Sequence, residues 1–466
     1  MKELTVHDST QLSRVSIGRC AVGHPLKTVF VLALVVRLLN IALLRGNDSF
    51  FAESDTLAYW ALGAELAKPE TFWSTLQSMT YRMPLYPLLL ADVQATLGDA
   101  PRAVALVQAV IDAGTCVLIA ALGALVAPLV GFISGILAAL SLTLVIFSSQ
   151  LVTDTLFLFW FALMLLAGAR FLLRPTSALA LLAGLAGGLS LVTRPAVGLL
   201  LVAAVPVVFV ASVMHRRSFV PALAATMLFA IGAAMPIAPV LARNVIHYGS
   251  FALTSQTGDH LAFWIVPLVT QRADGTPYQS TVDRMEALYR QRLAQGGSSA
   301  ESNPFRLVAI KTELVREEMP RLPLAAYVKA WLEGMVVNLG APALIADPRV
   351  RALPKPSFYN TPGTSLWQRA YAYLFHDPGR FQLLLVAGLV AMLPFLVLEL
   401  IGFVMLARTL PWAALFAAGV VGYFLLVSGP VAAPKYRLPM EPVLIVLAAI
   451  PLAWLIKRNG RVSVAD

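Results

Sequence analysis

Charge is scarce in this chain. Of 466 residues only 13% are Asp, Glu, Lys or Arg, where soluble domains carry about 25%. That is too little for a water-facing surface, so a soluble globular fold is excluded. Cysteine is scarcer still. Cys20 and Cys116 fall in the N-terminal tail and inside an apolar run, so neither a disulfide framework nor a cysteine-bound metal is expected. His247, His260 and His376 are too scattered for a zinc site, and no metal is expected. No internal repeat is evident. That disfavours a transporter built from paired halves. A small-residue cleavage site after the first apolar run is missing too, so that run is expected to stay as a signal anchor. Acidic residues number 25 against 35 basic ones, a net charge of +10. Outside the long polar segment, most of the basic residues flank apolar runs, which is the positive-inside pattern and not a nucleic-acid footprint.

Apolar residues fill the space, at 58% of the chain. The expected fold class is an all-α polytopic membrane protein. A helix needs about 20 apolar residues to cross a bilayer. Ten stretches qualify: 28–44, 103–122, 125–147, 155–173, 178–192, 196–214, 219–241, 381–406, 410–427 and 439–456. The fifth is on the short side, and the joint near Pro128 is short. Lys2, Arg14, Arg19 and Lys27 precede the first stretch and put the N-terminus on the cytoplasmic side. Alternation then puts Arg170 and Arg174, His215 to Arg217, Arg408, and Lys457 with Arg458 on that same side. Four separate basic clusters agree with one threading. The expected organisation is a cytoplasmic tail (1–27), seven spans (28–241) that include a first outer loop (46–100), a large outer segment (242–380), three further spans (381–456) and a cytoplasmic tail (457–466).

The threading gathers polar groups on the outer face: Asp55, Arg82, Asp154, Arg194, Arg243, Lys435 and Arg437. Ionisable groups at a membrane are costly and functional by default. In the first outer loop Asp55 stands four residues before Tyr59, which puts both on one side of a helix. Tyr81 to Pro87 joins a cation to a proline-punctuated turn. Arginine forks fit phosphate oxygens, so Arg82, Arg194, Arg243 and Arg437, with Lys435 and Tyr436, are candidate ligands for an anionic substrate. Each has a plainer alternative. Asp55 and Asp154 could cap helices, the cations could snorkel to lipid headgroups, and Arg243 with Asn244 could merely end the seventh span. Trp60, Trp73, Trp264, Trp331 and Trp367 read as interfacial anchors. In the large segment, 281–293 and 305–319 read as helices separated by a flexible 295–299, and 322–345 as a helix lying in the interface.

These residues resemble the C-type polytopic glycosyltransferases. The resemblance lies in Asp55-Thr-Leu-Ala-Tyr59, Arg82-Met-Pro-Leu-Tyr-Pro87, Thr193-Arg194-Pro195, Ala242-Arg243-Asn244 with Gly249, and Tyr436-Arg437-Leu438-Pro439. Within that superfamily the chain is most similar to the protein mannosyltransferase and lipid A aminoarabinose transferase group. The resemblance implies a catalytic base at Asp55, with Glu53 nearby in place of the adjacent glutamate common in the family, and a second acid at Asp154. It also implies an inverting transfer of a monosaccharide from a polyprenyl-phosphate carrier to a glycan, lipid or protein acceptor. No cofactor is implied beyond that donor. The expected location is a cell membrane of the bacterial inner-membrane type, with the site on the periplasmic face. Two other classes remain open: a transporter or flippase of a lipid-linked or anionic solute, and a polysaccharide polymerase or ligase using a diphosphate-linked donor.

Overall fold

Proline opens many of the helices. Pro69, Pro101, Pro128, Pro304 and Pro411 stand at helix starts, where the missing N–H costs nothing. In the computed structural model, residues 25–51, 54–216, 218–296, 303–358, 361–363 and 365–462 are described. Glu53, Cys20, Lys2, Arg14 and Arg19 lie outside them. Among the described residues every regular element is helical. In the first half run α1 (Pro25–Leu43), α2 (Ser54–Leu66), α3 (Pro69–Ser78), α4 (Leu85–Leu97), α5 (Pro101–Ala124), α6 (Pro128–Leu140), α7 (Leu142–Ser148), α8 (Asp154–Leu173), α9 (Ser177–Leu191), α10 (Gly198–Arg216) and α11 (Phe219–Tyr248). The second half holds α12 (Thr257–His260), α13 (Val266–Ala273), α14 (Tyr278–Gly296), α15 (Pro304–Glu318), α16 (Leu324–Gly340), α17 (Pro348–Arg351), α18 (Leu366–Phe375), α19 (Arg380–Thr409), α20 (Pro411–Ser428) and α21 (Glu441–Val462).

Among the described residues eight helices are long and apolar enough to cross a membrane, so this is a multi-pass membrane protein. Two of the ten expected stretches take a different form. The stretch 125–147 is not one rod: α6 and α7 meet at Ser141 with a bend of 50°. The stretch 178–192 forms α9, an apolar helix of 15 residues, about 22 Å long. The seventh span also runs past 241. Helix α11 continues to Tyr248 and stops where Gly249 turns left-handed at φ 65°, a conformation that glycine adopts without penalty.

Small residues let the backbones meet. A Cβ on Gly184 would sit 2.0 Å from the Phe229 carbonyl, and one on Gly232 2.6 Å from that of Leu181, so α9 and α11 touch main chain to main chain. Gly402 of α19 meets the Leu447 carbonyl of α21 in the same way. Close approach of this kind replaces the hydrophobic drive that is missing in lipid. The bend at Ser141 is held by a side chain from α1. Arg37, fully buried, donates to the carbonyls of Ala139 (2.5 Å) and Ala138 (3.2 Å) in the last turn of α6. Its charge is met by Asp112 of α5 at 2.7 Å. Within a bilayer a broken helix must have its carbonyls satisfied by protein, and Arg37 does this here.

Candidate active site

The connections at one end of the bundle converge. Phe50 accepts from the backbone of Leu151 (3.1 Å), and Leu85 donates to Val192 (3.2 Å). Gln150 donates to Ala346 (2.8 Å), and Asn338 donates to Val431 (3.0 Å). The residues grouped by threading on one face, namely the first loop, 148–154, 192–195, the long segment and 428–438, therefore do meet.

At the centre Asp55 and Arg82 form an ion pair of 2.7 Å. Asp55 lies in the first turn of α2, and its carboxylate accepts from Arg82 Nη2. Arg82 comes from the irregular 79–84 turn. Its guanidinium lies 4.9 Å from the Tyr59 ring centre and 5.1 Å from that of Tyr81. The Tyr59 ring packs edge-on against Tyr86 at 5.4 Å. The Tyr86 hydroxyl donates to Gln108 Oε1 (2.8 Å), and Gln108 Nε2 donates to the carbonyls of Ser148 and Gln150 (3.0 and 2.8 Å). This buried chain fixes the position of Tyr59. Burial pushes the Tyr59 phenol above its ordinary pKa, against the pull of Arg82.

A second pair stands beside the first. Asp154, the first residue of α8, is ion-paired with Arg194 from the link after α9. Asp154 makes that bond instead of capping its helix. Arg194 lies 5.9 Å from the Tyr436 ring, and Lys435 Nζ lies 5.9 Å from the same ring. Arg194 also acts electrostatically on Tyr59, which joins the two pairs. Asp55, Tyr59, Arg82, Asp154, Arg194, Lys435 and Tyr436 thus form one set. It contains three cations and two carboxylates, an excess of positive charge. The acids differ in access: the Asp55 side chain is 42% exposed and that of Asp154 only 5%. Of these two, Asp55 is the one open to an incoming group.

Two of the expected ligands lie elsewhere. Arg243 donates to the Leu76 carbonyl (3.0 Å) and to Asn244 Oδ1 (2.9 Å), tying α11 to α3. Arg437 is 3% exposed and surrounded. It is paired with Glu399 of α19, with Glu441 of α21 at 2.9 Å, and with the Leu339 carbonyl at 2.5 Å. In this position it clamps α16, α19 and α21 together. Sequence reasoning missed both glutamates, although an acid inside the apolar run 381–406 was the signal for Glu399.

It also missed the contribution of the long segment. Ser255 donates its backbone N–H to Thr80 (3.0 Å), and Thr254 Oγ1 donates to the Tyr81 carbonyl (3.0 Å). Asp259 approaches the Tyr81 hydroxyl. Burial first, then Asp259, pushes that phenol up. Asp259 is ion-paired with Lys311, whose ammonium lies 4.7 Å from the Tyr289 ring centre. One wall of the site is therefore made by α12 and α15. Among the described residues no group of three His, Cys, Asp or Glu is arranged to hold a metal ion. No protein-family model and no curated protein matches the chain.

Proposed function

We propose that this protein is an inverting glycosyltransferase of the C type. In this reading it moves a monosaccharide from a polyprenyl-phosphate carrier to an acceptor on the outer face of a bacterial-type inner membrane. One observation carries the reading. Two carboxylate–arginine pairs from different connections stand side by side at one end of an apolar bundle, and one carboxylate of the two is open. Transfer needs these parts. An acceptor O–H or N–H attacks the anomeric carbon while Asp55 takes its proton. The bond from that carbon to the carrier phosphate breaks, and the electron pair leaves on the phosphate oxygen. Arg194, Lys435 and Arg82 lie where cations can stabilise that charge. A single displacement inverts the anomeric configuration. Asp154 acts by positioning Arg194. No cofactor takes part, and the donor lipid is a substrate.

The threading that supports this reading counts the eight long helices, the bent pair α6–α7 and the short α9 as ten spans. Both termini are then cytoplasmic, and the site faces the periplasm. The test is transfer of radiolabelled sugar from a polyprenyl-phosphate monosaccharide in membranes with and without the protein. Protein-dependent product of inverted configuration, formed in excess chelator, is the expected result. No transfer from the monophosphate, with transfer from a diphosphate-linked oligosaccharide, overturns it in favour of a polymerase or ligase.

A further inference from the structure

Arg82 lies between two tyrosine rings, and the rings are fixed from different sides. The Tyr59 ring is set by the buried Tyr86–Gln108 chain. The Tyr81 ring comes from an irregular turn and is 39% exposed. Without a further restraint an exposed ring changes rotamer within nanoseconds. The long segment supplies that restraint. Three contacts join it to the turn: Ser255 N–H to the Thr80 carbonyl, Thr254 Oγ1 to the Tyr81 carbonyl, and Thr80 Oγ1 to Ser255 Oγ at 3.2 Å. They fix the backbone of the turn. The Tyr81 hydroxyl, at the free end of the side chain, faces Asp259.

Asp259 stands on a firm support. Gly258 lets α12 lie against α15, because a Cβ there would sit 3.0 Å from the Lys311 Cβ and 3.2 Å from the Val308 carbonyl oxygen. Beneath α12 a small core forms from Ala262, Val266, Met285, Leu314 and Val315. Lys311 Nζ donates to Asp259 Oδ1. Its ammonium is flanked by the Phe263 ring at 5.7 Å and the Tyr289 ring at 4.7 Å. Both side chains of this ion pair are largely sheltered from solvent. Lys311 thus fixes one oxygen of the carboxylate and leaves Oδ2 for a second donor.

We propose that Asp259 is a positioning residue of the site: it accepts from the Tyr81 hydroxyl, and the ring so fixed holds the Arg82 guanidinium against Asp55. A hydrogen bond to an ionised acceptor is roughly twice as strong as a neutral one, so it selects one rotamer of an exposed ring. It also polarises the phenol, which strengthens the attraction of the ring for a cation. Lys311, Asp259, Tyr81, Arg82 and Asp55 then form one line from the long segment to the open carboxylate. The effect on turnover rests on the transferase reading; the placement of the ring does not.

The first measurement places a fluorinated tyrosine at position 81 of the full chain and follows its fluorine resonance against pH. Burial and Asp259 push this phenol up, Arg82 pulls it down, and Asp55 adds a smaller push upward. Arg82→Gln should therefore move the titration to higher pH, and Asp259→Asn should move it lower. Without Asp259 the ring leaves the guanidinium, so about half or more of the Arg82→Gln shift should vanish in the Asp259→Asn background. An Arg82→Gln shift of equal size in both backgrounds overturns the proposal. So does a titration that Asp259→Asn leaves in place. The second measurement is sugar transfer. Tyr81→Phe keeps the ring and removes only the hydroxyl, so it reports even where Asp259→Asn disturbs folding. It should lower transfer about tenfold to a hundredfold, and adding Asp259→Asn to it should cost nothing more. Normal transfer by Tyr81→Phe, or a full further loss in the double variant, overturns the proposal. Absence of transfer by the wild type counts against the transferase reading alone, and the fluorine titration then decides the placement of the ring.

Discussion

At the scale of single residues the two acids of the site make different predictions. Asp55→Asn keeps the shape of the side chain and an oxygen that can accept from Arg82, but it cannot take a proton. Transfer by the purified variant is expected to fall about a hundred- to ten-thousand-fold with an unchanged elution profile; near-normal turnover would remove Asp55 from the base role. A sharper contrast lies deeper. Arg37 and Asp112 are both buried and 2.7 Å apart. Removing one partner of such a pair leaves an uncompensated charge and costs about 3–5 kcal/mol. Asp112→Asn should thus lower the thermal midpoint in detergent far more than Asp55→Asn does. Equal small shifts would mean the Arg37–Asp112 pair is not needed. Asp55, Arg82, Asp154 and Arg194 were legible in the sequence because polar residues beside apolar runs stand out. Arg37 and Asp112 were hidden because each looked like one blemish inside a span, and nothing in the order of residues says that α1 and α5 bring them together. Asp259 and Lys311 were hidden by the reverse effect, as two charges among many in a polar segment.

Helix lengths were largely legible, and helix shape was not. Runs of apolar residues gave the long spans because their composition alone decides them. The bend at Ser141 could not be read from 125–147, since its apolar pattern runs through unbroken and the break is supported from outside by Arg37. The apolar run 178–192 was legible as the helix α9, but its close packing was not, because burial is decided by neighbours. Its glycines carry the next prediction. Gly184→Leu would place side-chain atoms where the Phe229 carbonyl already stands, 2.0 Å from the position of a Cβ. The α9–α11 contact must then open, and overpacking of this kind costs about 1–3 kcal/mol. Gly168→Leu on α8 meets open space, with no atom within 4 Å of its Cβ position, and serves as the control. Thermal unfolding of both variants is the measurement. A stable Gly184→Leu would show that this seam tolerates separation.

Over the whole molecule the strongest pattern is that connections far apart in the chain share one end of the bundle. Residues 50 and 151, 85 and 192, 150 and 346, and 338 and 431 are joined by hydrogen bonds. The basic ends, Arg170 with Arg174 and the single Arg408, terminate helices that lead away from it. The alternation of basic clusters predicted this segregation, because charge bias acts on every short connection independently. It also predicts which side each end faces. With Cys20 changed to Ser, the remaining Cys116 is buried and gives a low background for labelling. Arg292→Cys places a thiol on the long segment, where the native side chain is 41% exposed, and Thr409→Cys places one at the exposed far end of α19. A membrane-impermeant maleimide added to intact cells should label Arg292→Cys and leave Thr409→Cys untouched. In inside-out vesicles the pattern should reverse. Labelling of both positions from one side would break the threading of α19. It would also remove the outer-face placement on which a lipid-carried sugar donor depends, even if the contacts around Asp55 and Arg82 stood unchanged.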